Sequence, residues 1–328
     1  MINIAIVGLG GIGNTHARCY GNNRRTKVVA VCDILKDRAD EAADIHKTRA
    51  FYSVQEMLAS GVKIDAASVC SAGTENGGDH YKPTMELLKA GIPVLGEKPI
   101  SNDLAEAKRM VALAKRRRLR YAVSLNHRFT PSAVRAKEWV NAGRLGELNI
   151  VNMTMWINNP NESSPHFHMR ALHSHSIDVM RYFCGDVKKV QAFFKKGKGR
   201  KTWSNVQVNM QFANGVIGHL TGSYDAGGGY GLETCELVGS EARVVIREAC
   251  EKLEFYPRHN QEVEVFEHLG GMGSFGDTFQ SRIDAWISDL AKKTPPSKVD
   301  GKAEDALKAL LVIEAAIRSW ETGAVVKL

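Results

Sequence analysis

Apolar residues fall into two rhythms along the chain. From Ile2 to Asn126, short uninterrupted apolar runs alternate with helical patterns. Ile2–Val7 is an apolar run of strand length, the stretch Gly8-Leu9-Gly10-Gly11-Ile12-Gly13 follows directly, and a helical pattern comes next. "KVVAVCDI" reads as a second buried strand, "ILKDRADEAADIHK" as a charged surface helix, "IDAASVCSA" as a strand, "HYKPTMELLKAG" as a helix, and "IPVLGEKPI" as a strand ending at Glu97. A helix over Leu104–Arg116 and the strand "RYAVSLN" close this part. Buried strands alternating with helices predict a parallel sheet with right-handed crossovers.

From about Leu148 the strands follow one another with turns between: "LNIVNMTMWI", "VKKVQAFF", "WSNVQVNMQFA", "VIGHLTGSY", "LETCELVG", "ARVVIRE" and "KLEFYP". Asn214-Gly215 between two of them signals a two-residue hairpin. A helix over residues 174–183 is expected to cover one face of this mostly antiparallel sheet, leaving the other to solvent or a subunit partner. Lys302–Thr322 reads as a long amphipathic helix. The fold class expected is α/β: an N-terminal doubly wound parallel sheet over residues 1–123, then an α+β domain with an open, mostly antiparallel sheet over 124–328, whose C-terminal helix is free to pack back on the first domain.

Composition narrows the class. The 328 residues are 44% hydrophobic and 24% charged, the balance of a folded globular chain. No apolar run approaches the roughly 20 residues of a membrane helix, and the first residues lack the features of a secretory signal, so a cytoplasmic protein is expected. Cys19, Cys32, Cys70, Cys184, Cys235 and Cys250 form no CxxC pair and suit buried thiols. The net charge of +8 raises nucleic acid as a partner. The basic run Lys115–Arg118, however, ends a helix, where cations favour the dipole, and "KKGKGRK" reads as a solvated loop without the aromatics that stack bases. Neither nucleic acid nor membrane is expected as a partner.

The glycine motif carries the first chemistry. It follows a buried strand, opens a helix, and is followed by Asp33 at the end of the next strand, 25 positions after Gly8. Gly8 permits the tight turn, Gly10 the approach of a pyrophosphate and Gly13 close helix–strand packing, while the helix N-terminus offers N–H groups and partial positive charge. Asp33 can accept the adenosine ribose hydroxyls and repels a 2′-phosphate, which favours NAD over NADP, with Lys36 and Arg38 nearby to offset part of that repulsion.

Taken with "GIPVLGEKPIS", "NHRFTP" (Asn126–Pro131), "GRLGELNIV", the H-x-x-D of His175 and Asp178, and "ETGAVVKL", this motif makes the chain resemble, over essentially its whole length, the glucose-fructose oxidoreductase, inositol dehydrogenase and MocA (Gfo/Idh/MocA) family. The resemblance implies hydride transfer between a nicotinamide cofactor and a secondary alcohol of a sugar, cyclitol or related small molecule. It places Lys98 at the nicotinamide and the reacting oxygen, implies a Lys98-Pro99 bond able to be cis, and makes His175 the proton acceptor. Gly11, Ile12, Ser71, His80 and Glu97 join Gly8, Gly10, Gly13, Asp33 and Lys98 as cofactor-binding candidates. Arg128, His168, His173 and Asp178 are the substrate-binding candidates, and Asn126 and His127 are expected to enter the same cleft as Arg128, for which a structural ion pair is the alternative.

Oxidation of an alcohol needs a base within hydrogen-bond reach of the hydroxyl, and histidine suits the task near neutral pH. His175 and Asp178 share a helical face, whereas His173 points nearly opposite to His175 if both are helical. A helix capped at Ser174 would favour a neutral imidazole at His175. Many relatives carry an aspartate four residues before this histidine; here Ala171 stands there, and His173, His168, Asp225 and Glu233 are candidates for its part. His166, His168, His173 and His175 also raise a metal site, but hydride chemistry needs no metal and none is expected. The alternatives to a dehydrogenase are a redox glycosidase, which oxidises a sugar carbon transiently and returns the hydride, and a non-catalytic NAD or sugar sensor. The open sheet face suggests a homodimer or homotetramer.

Overall fold

A computed structural model describes residues 1–73, 75–227, 232–249, 251–267 and 276–328. Cys250 and residues 228–231 of the glycine-containing segment Ser223–Glu233 lie outside them. The chain divides into two compact units, residues 1–125 with 279–307, and residues 126–278 with 308–328.

The first unit runs β1 (Ile2–Val7), α1 (Gly11–Gly21), β2 (Thr26–Cys32), α2 (Lys36–His46), β3 (Arg49–Phe51), α3 (Val54–Ala59), β4 (Ala66–Val69), α4 (Tyr81–Lys89), β5 (Val94–Gly96), α5 (Leu104–Arg117) and β6 (Tyr121–Val123). Six parallel strands are ordered β3-β2-β1-β4-β5-β6. This is the doubly wound arrangement, in which strand order reverses beside β1 and opens a crevice beyond the strand ends. β1 from Ile4 onward and all of β4 are buried, and apart from Asn3 and Ser68 the two strands are apolar, because helices cover both faces of a parallel sheet. The basic run predicted to end a helix does so: Lys115, Arg116 and Arg117 form the last turn of α5, which Asp103 caps at its start by accepting from the Glu106 N–H at 2.8 Å.

The second unit contains α6 (Pro131–Asn141), β7 (Leu148–Trp156), α7 (Phe167–Cys184), β8 (Val187–Lys195), β9 (Asn205–Phe212), β10 (Ile217–Ser223), β11 (Glu233–Gly239), β12 (Ala242–Arg247), β13 (Lys252–Pro257) and β14 (Glu264–Glu267). α8 (Asp277–Ala291) then carries the chain into the first unit, and α9 (Ala303–Thr322) carries it out again to β15 (Val326–Lys327). The segment that returns to the first unit is 279–307, and its Ile283, Trp286, Ile287 and Val299 join the core formed by Ile4, Ile6, Tyr20 and Leu95. The nine-stranded sheet is ordered β14-β13-β12-β11-β7-β10-β9-β8-β15 and is antiparallel except where β7 meets β10. Alternation along β9, where Val206, Val208, Met210 and Phe212 are buried and the residues between them are not, shows the predicted one-sided strand. The buried side meets α6, α7 and the later turns of α9.

Two local expectations change. The hairpin at Asn214-Gly215 forms, but the Phe212 N–H donates to the Val216 carbonyl at 2.8 Å, so the turn has three residues and Gly215 takes the positive φ of 97°. The helix expected over 174–183 begins at Phe167, so Ser174 does not cap it and His175 lies two turns inside. The polar residues His168 and His173 broke the apolar pattern that marks a helix, yet both are fully buried in it. No described helix is long and apolar enough to cross a membrane.

Candidate active site

In the first unit the glycines make a tight turn. Gly8 has φ 86°, and a Cβ there would collide with the backbone of Ser71 on the loop after β4. At Gly13 a Cβ would overlap the Gly8 carbonyl, so α1 can meet β1 only through glycine. Gly10 and Gly11 face open space, Gly10 occupies the N-cap of α1 without a side-chain cap, and Ile12 is partly exposed beside them. The first N–H groups of α1 are thereby left for an anion. Asp33 closes the other side: its Oδ2 accepts from the Leu9 N–H at 2.6 Å and its Oδ1 from the Leu35 N–H at 2.9 Å. A cleft of about 530 Å³ opens here, lined by Gly8, Gly10, Asp33, Ile34, Ser71 and Pro83 among others. Ile34 is 86% exposed, an apolar side chain at the cleft with no protein against it. Lys36 lies over the Tyr52 ring at 5.1 Å, while Arg38 reaches the cleft. The turn, the open helix end and the oriented carboxylate fit a dinucleotide, which Gly8, Gly10, Gly13 and Asp33 would hold.

Beyond β5, the Lys98-Pro99 bond is cis. His80, buried at the start of α4, donates its Nδ1–H to the Pro99 carbonyl at 2.9 Å, and burial lowers its pKa. Ser71 donates to the Asp79 carbonyl at 2.8 Å, tying the same loop down. Lys98 is lowered by burial, an effect the Glu97 charge opposes. Burial pushes Glu97 up, but the hydrogen bond and charge of His16 and the Lys98 charge bring it below the ordinary carboxylate range. His16 reaches Glu97 Oε1 at 3.0 Å through Nε2 and Ser68 Oγ at 3.2 Å through Nδ1, and Ser68 meets the Tyr20 hydroxyl at 2.9 Å. Sequence reasoning passed over His16, whose signal was a titratable residue on the buried side of α1.

In the second unit α7 presents histidines on opposite faces. His173 meets His168 Nε2 to Nε2 at 3.1 Å and Ser176 through Nδ1 at 3.1 Å, and its ring lies against Gly222, where any Cβ would overlap it. Burial lowers His168 to about 3 and His173 well below the usual imidazole value. His175 faces the other way and stacks on His127, ring centroids 4.1 Å apart and planes 11° apart. His127 Nδ1 meets Glu233 Oε2 at 2.7 Å with both side chains buried. One turn beyond His175, Asp178 forms a two-point buried ion pair with Arg128, Nε to Oδ2 at 2.7 Å and Nη2 to Oδ1. Asn126 donates to Thr278 at 2.6 Å. Asp225, one candidate for the part of the missing aspartate, instead accepts from Ser204 and Asn205, each at 2.7 Å, and faces Arg200. Among the described residues, no cluster of three or more His, Cys, Asp or Glu is arranged to hold a metal.

Two family models match successive parts of the chain. The oxidoreductase family, NAD-binding Rossmann fold, matches residues 2–125, and the GFO/IDH/MocA C-terminal domain matches residues 133–245. The chain belongs to the Gfo/Idh/MocA oxidoreductase family. Its first 125 residues are this family's NAD-binding Rossmann domain. The chain is similar to myo-inositol 2-dehydrogenase of Thermotoga maritima, 26% identical over 351 residues, covering 100% of this chain and 98% of that one. D-glucoside 3-dehydrogenase of Escherichia coli is 29% identical over 150 residues, 45% of this chain and 42% of its own. The solved levoglucosan dehydrogenase with NADH and levoglucosan superposes with a TM-score of 0.88 at 18% identity, covering 100% of this chain and 99% of that one, and so shares the fold.

Proposed function

We propose that this Gfo/Idh/MocA chain is an NAD-dependent dehydrogenase acting on a secondary alcohol of a sugar or cyclitol. Bound NAD supplies the hydride acceptor. Lys98 contributes positive charge to the reacting oxygen, and His175 takes the hydroxyl proton as the hydride leaves the carbon. Burial at Lys98, by lowering its affinity for its own proton, sharpens its use as a hydrogen-bond donor to an oxygen gaining negative charge. The observation that carries the reading is the turn from Gly8 to Gly13 with the doubly anchored Asp33, in a chain whose whole length follows that of an inositol dehydrogenase. NAD is the cofactor favoured over NADP, because both Asp33 oxygens are fixed at the cleft where a 2′-phosphate would meet them.

The same reading places the enzyme in the cytoplasm as a homodimer or homotetramer. The sheet face away from the helices supports pairing: Phe193 and Ile217 are each 54% exposed on it. Light scattering on the purified protein gives the oligomer number directly. The function is tested by following NADH absorbance with myo-inositol, levoglucosan and a D-glucoside, with mass spectrometry of the products. A keto product with matching NADH is expected. Release of free sugar without NADH accumulation identifies a redox glycosidase, and NADH binding without turnover of any polyol, aldose or glycoside identifies a sensor.

A further inference from the structure

The 3₁₀ turn Asn126–Phe129 places two consecutive side chains against α7 in register: Arg128 against Asp178 and His127 against His175. His175 and Asp178 are three residues apart and share a face, so the turn grips one face of α7 at two points. The first grip is an ion pair, which needs nothing further. The second is a stack of two imidazole planes only 11° from parallel, and such a stack holds its geometry only if the outer ring is itself fixed. Glu233, at the first position of β11, fixes it through Nδ1 of His127 at 2.7 Å. β11 is in turn locked beside β7, with Glu233 opposite Met155, and the Glu233 carbonyl accepts from the Glu248 N–H at 2.7 Å. A rigid path therefore runs from the sheet through Glu233 and His127 to the plane of His175.

We infer that His127 and Glu233 are positioning residues for His175: they set the plane of the imidazole that accepts the substrate proton. This rests on the reading of His175 as that acceptor. Proton transfer depends steeply on the direction of the nitrogen lone pair, whereas substrate affinity depends on it weakly. Loss of the outer ring is therefore a defect of turnover more than of binding. Because His127 acts only while Glu233 holds it, the two form one unit, and removing both does little more than removing either. The stack also has a use during turnover. When His175 becomes imidazolium, the flat face of His127 lies over a delocalised cation at contact distance, an arrangement that stabilises the charge in a site with little water.

Steady-state kinetics with NAD and whichever of myo-inositol, levoglucosan and a D-glucoside is fastest, on the full chain, test the inference. His127→Gln keeps an N–H donor for Glu233 and removes the ring. It is expected to lower kcat about tenfold or more, with KM changed less than about threefold and the melting temperature nearly unchanged. Glu233→Ala is expected to fall as far, Glu233→Gln, which keeps an acceptor for Nδ1, to recover to within about threefold of the parent, and H127Q/E233A to fall no further than H127Q alone. A ring-current shift of the His175 Cε1–H in NMR spectra, lost in H127Q, reports the stack without any substrate and covers the case in which E233A does not fold. Unchanged kcat in H127Q, losses confined to KM, or losses that multiply in the double variant overturn the inference. Turnover that survives His175→Ala overturns the acceptor assignment instead.

Discussion

His173 meets His168, Ser176 and the bare backbone of Gly222 on one face of α7, whereas His175, two residues on, meets the plane of His127 on the other. Both rings are buried and both belong to the same helix, so neither burial nor element type distinguishes them. Their partners do. Both nitrogens of His173 are occupied by protein, and a ring so placed has no lone pair left for a ligand. His175 is gripped by its face, a contact that sets the plane of a ring without drawing on its nitrogens. The pair teaches that a buried histidine is read for function by which of its atoms the protein uses.

The comparison can be broken most strongly at its anchor. Asp178→Ala leaves the Arg128 guanidinium buried without its carboxylate and is expected to cost about 3–5 kcal/mol of stability in denaturant titration. A cost under about 1 kcal/mol means the clamp does not hold α7. Next, His175→Ala is expected to lower turnover about a hundredfold or more with NADH affinity retained in fluorescence titration. The opposite face answers differently: Gly222→Ala drives a methyl group into the His173 ring and is expected to cost about 1–3 kcal/mol of stability while kcat stays within about twofold. Equal loss of turnover in that variant contradicts the division of the helix into two faces.

The smallest effect is a pH dependence. His168 is lowered to about 3 and His173 in the same direction, so below the ordinary imidazole value near 6.5 the unfolded chain binds protons that the folded chain refuses. Their contribution to stability is thus intact at neutral pH and is lost as pH falls from about 6.5 toward 3. Between pH 7 and 6 the loss is about 1 kcal/mol, read as a fall in melting temperature that persists in His175→Ala. Stability that rises over this interval contradicts the neutral, buried pair.

Much of the first unit was legible because its constraints are local. Gly8, Gly13 and Asp33 follow from turn sterics and strand-end placement, and the structure puts each where that logic requires. The one-sided strands were legible for the same reason. The start of α7 was not, because two polar side chains satisfy each other inside it, and a rule that counts apolar positions cannot see a hydrogen bond between His168 and His173. Nor could His127 be given a role: its partner Glu233 is 106 positions away, and pairing at that separation leaves no mark on either neighbourhood. The helix α8 had no counterpart among the elements read from the sequence, and an apolar stripe there would not have told which core it joins, since any apolar stripe suits any apolar surface.

That last helix changes how the protein is made. Ile283, Trp286, Ile287 and Val299 belong to a core whose other buried members are translated before residue 125. The unit begun first therefore waits for residues 279–307, and the emerging chain carries an unfinished apolar surface through translation of β7 to β14. A fragment ending at residue 125 would lack the tryptophan at its middle, and a nucleotide-binding module could be cut from this chain only by grafting a distant helix back onto it.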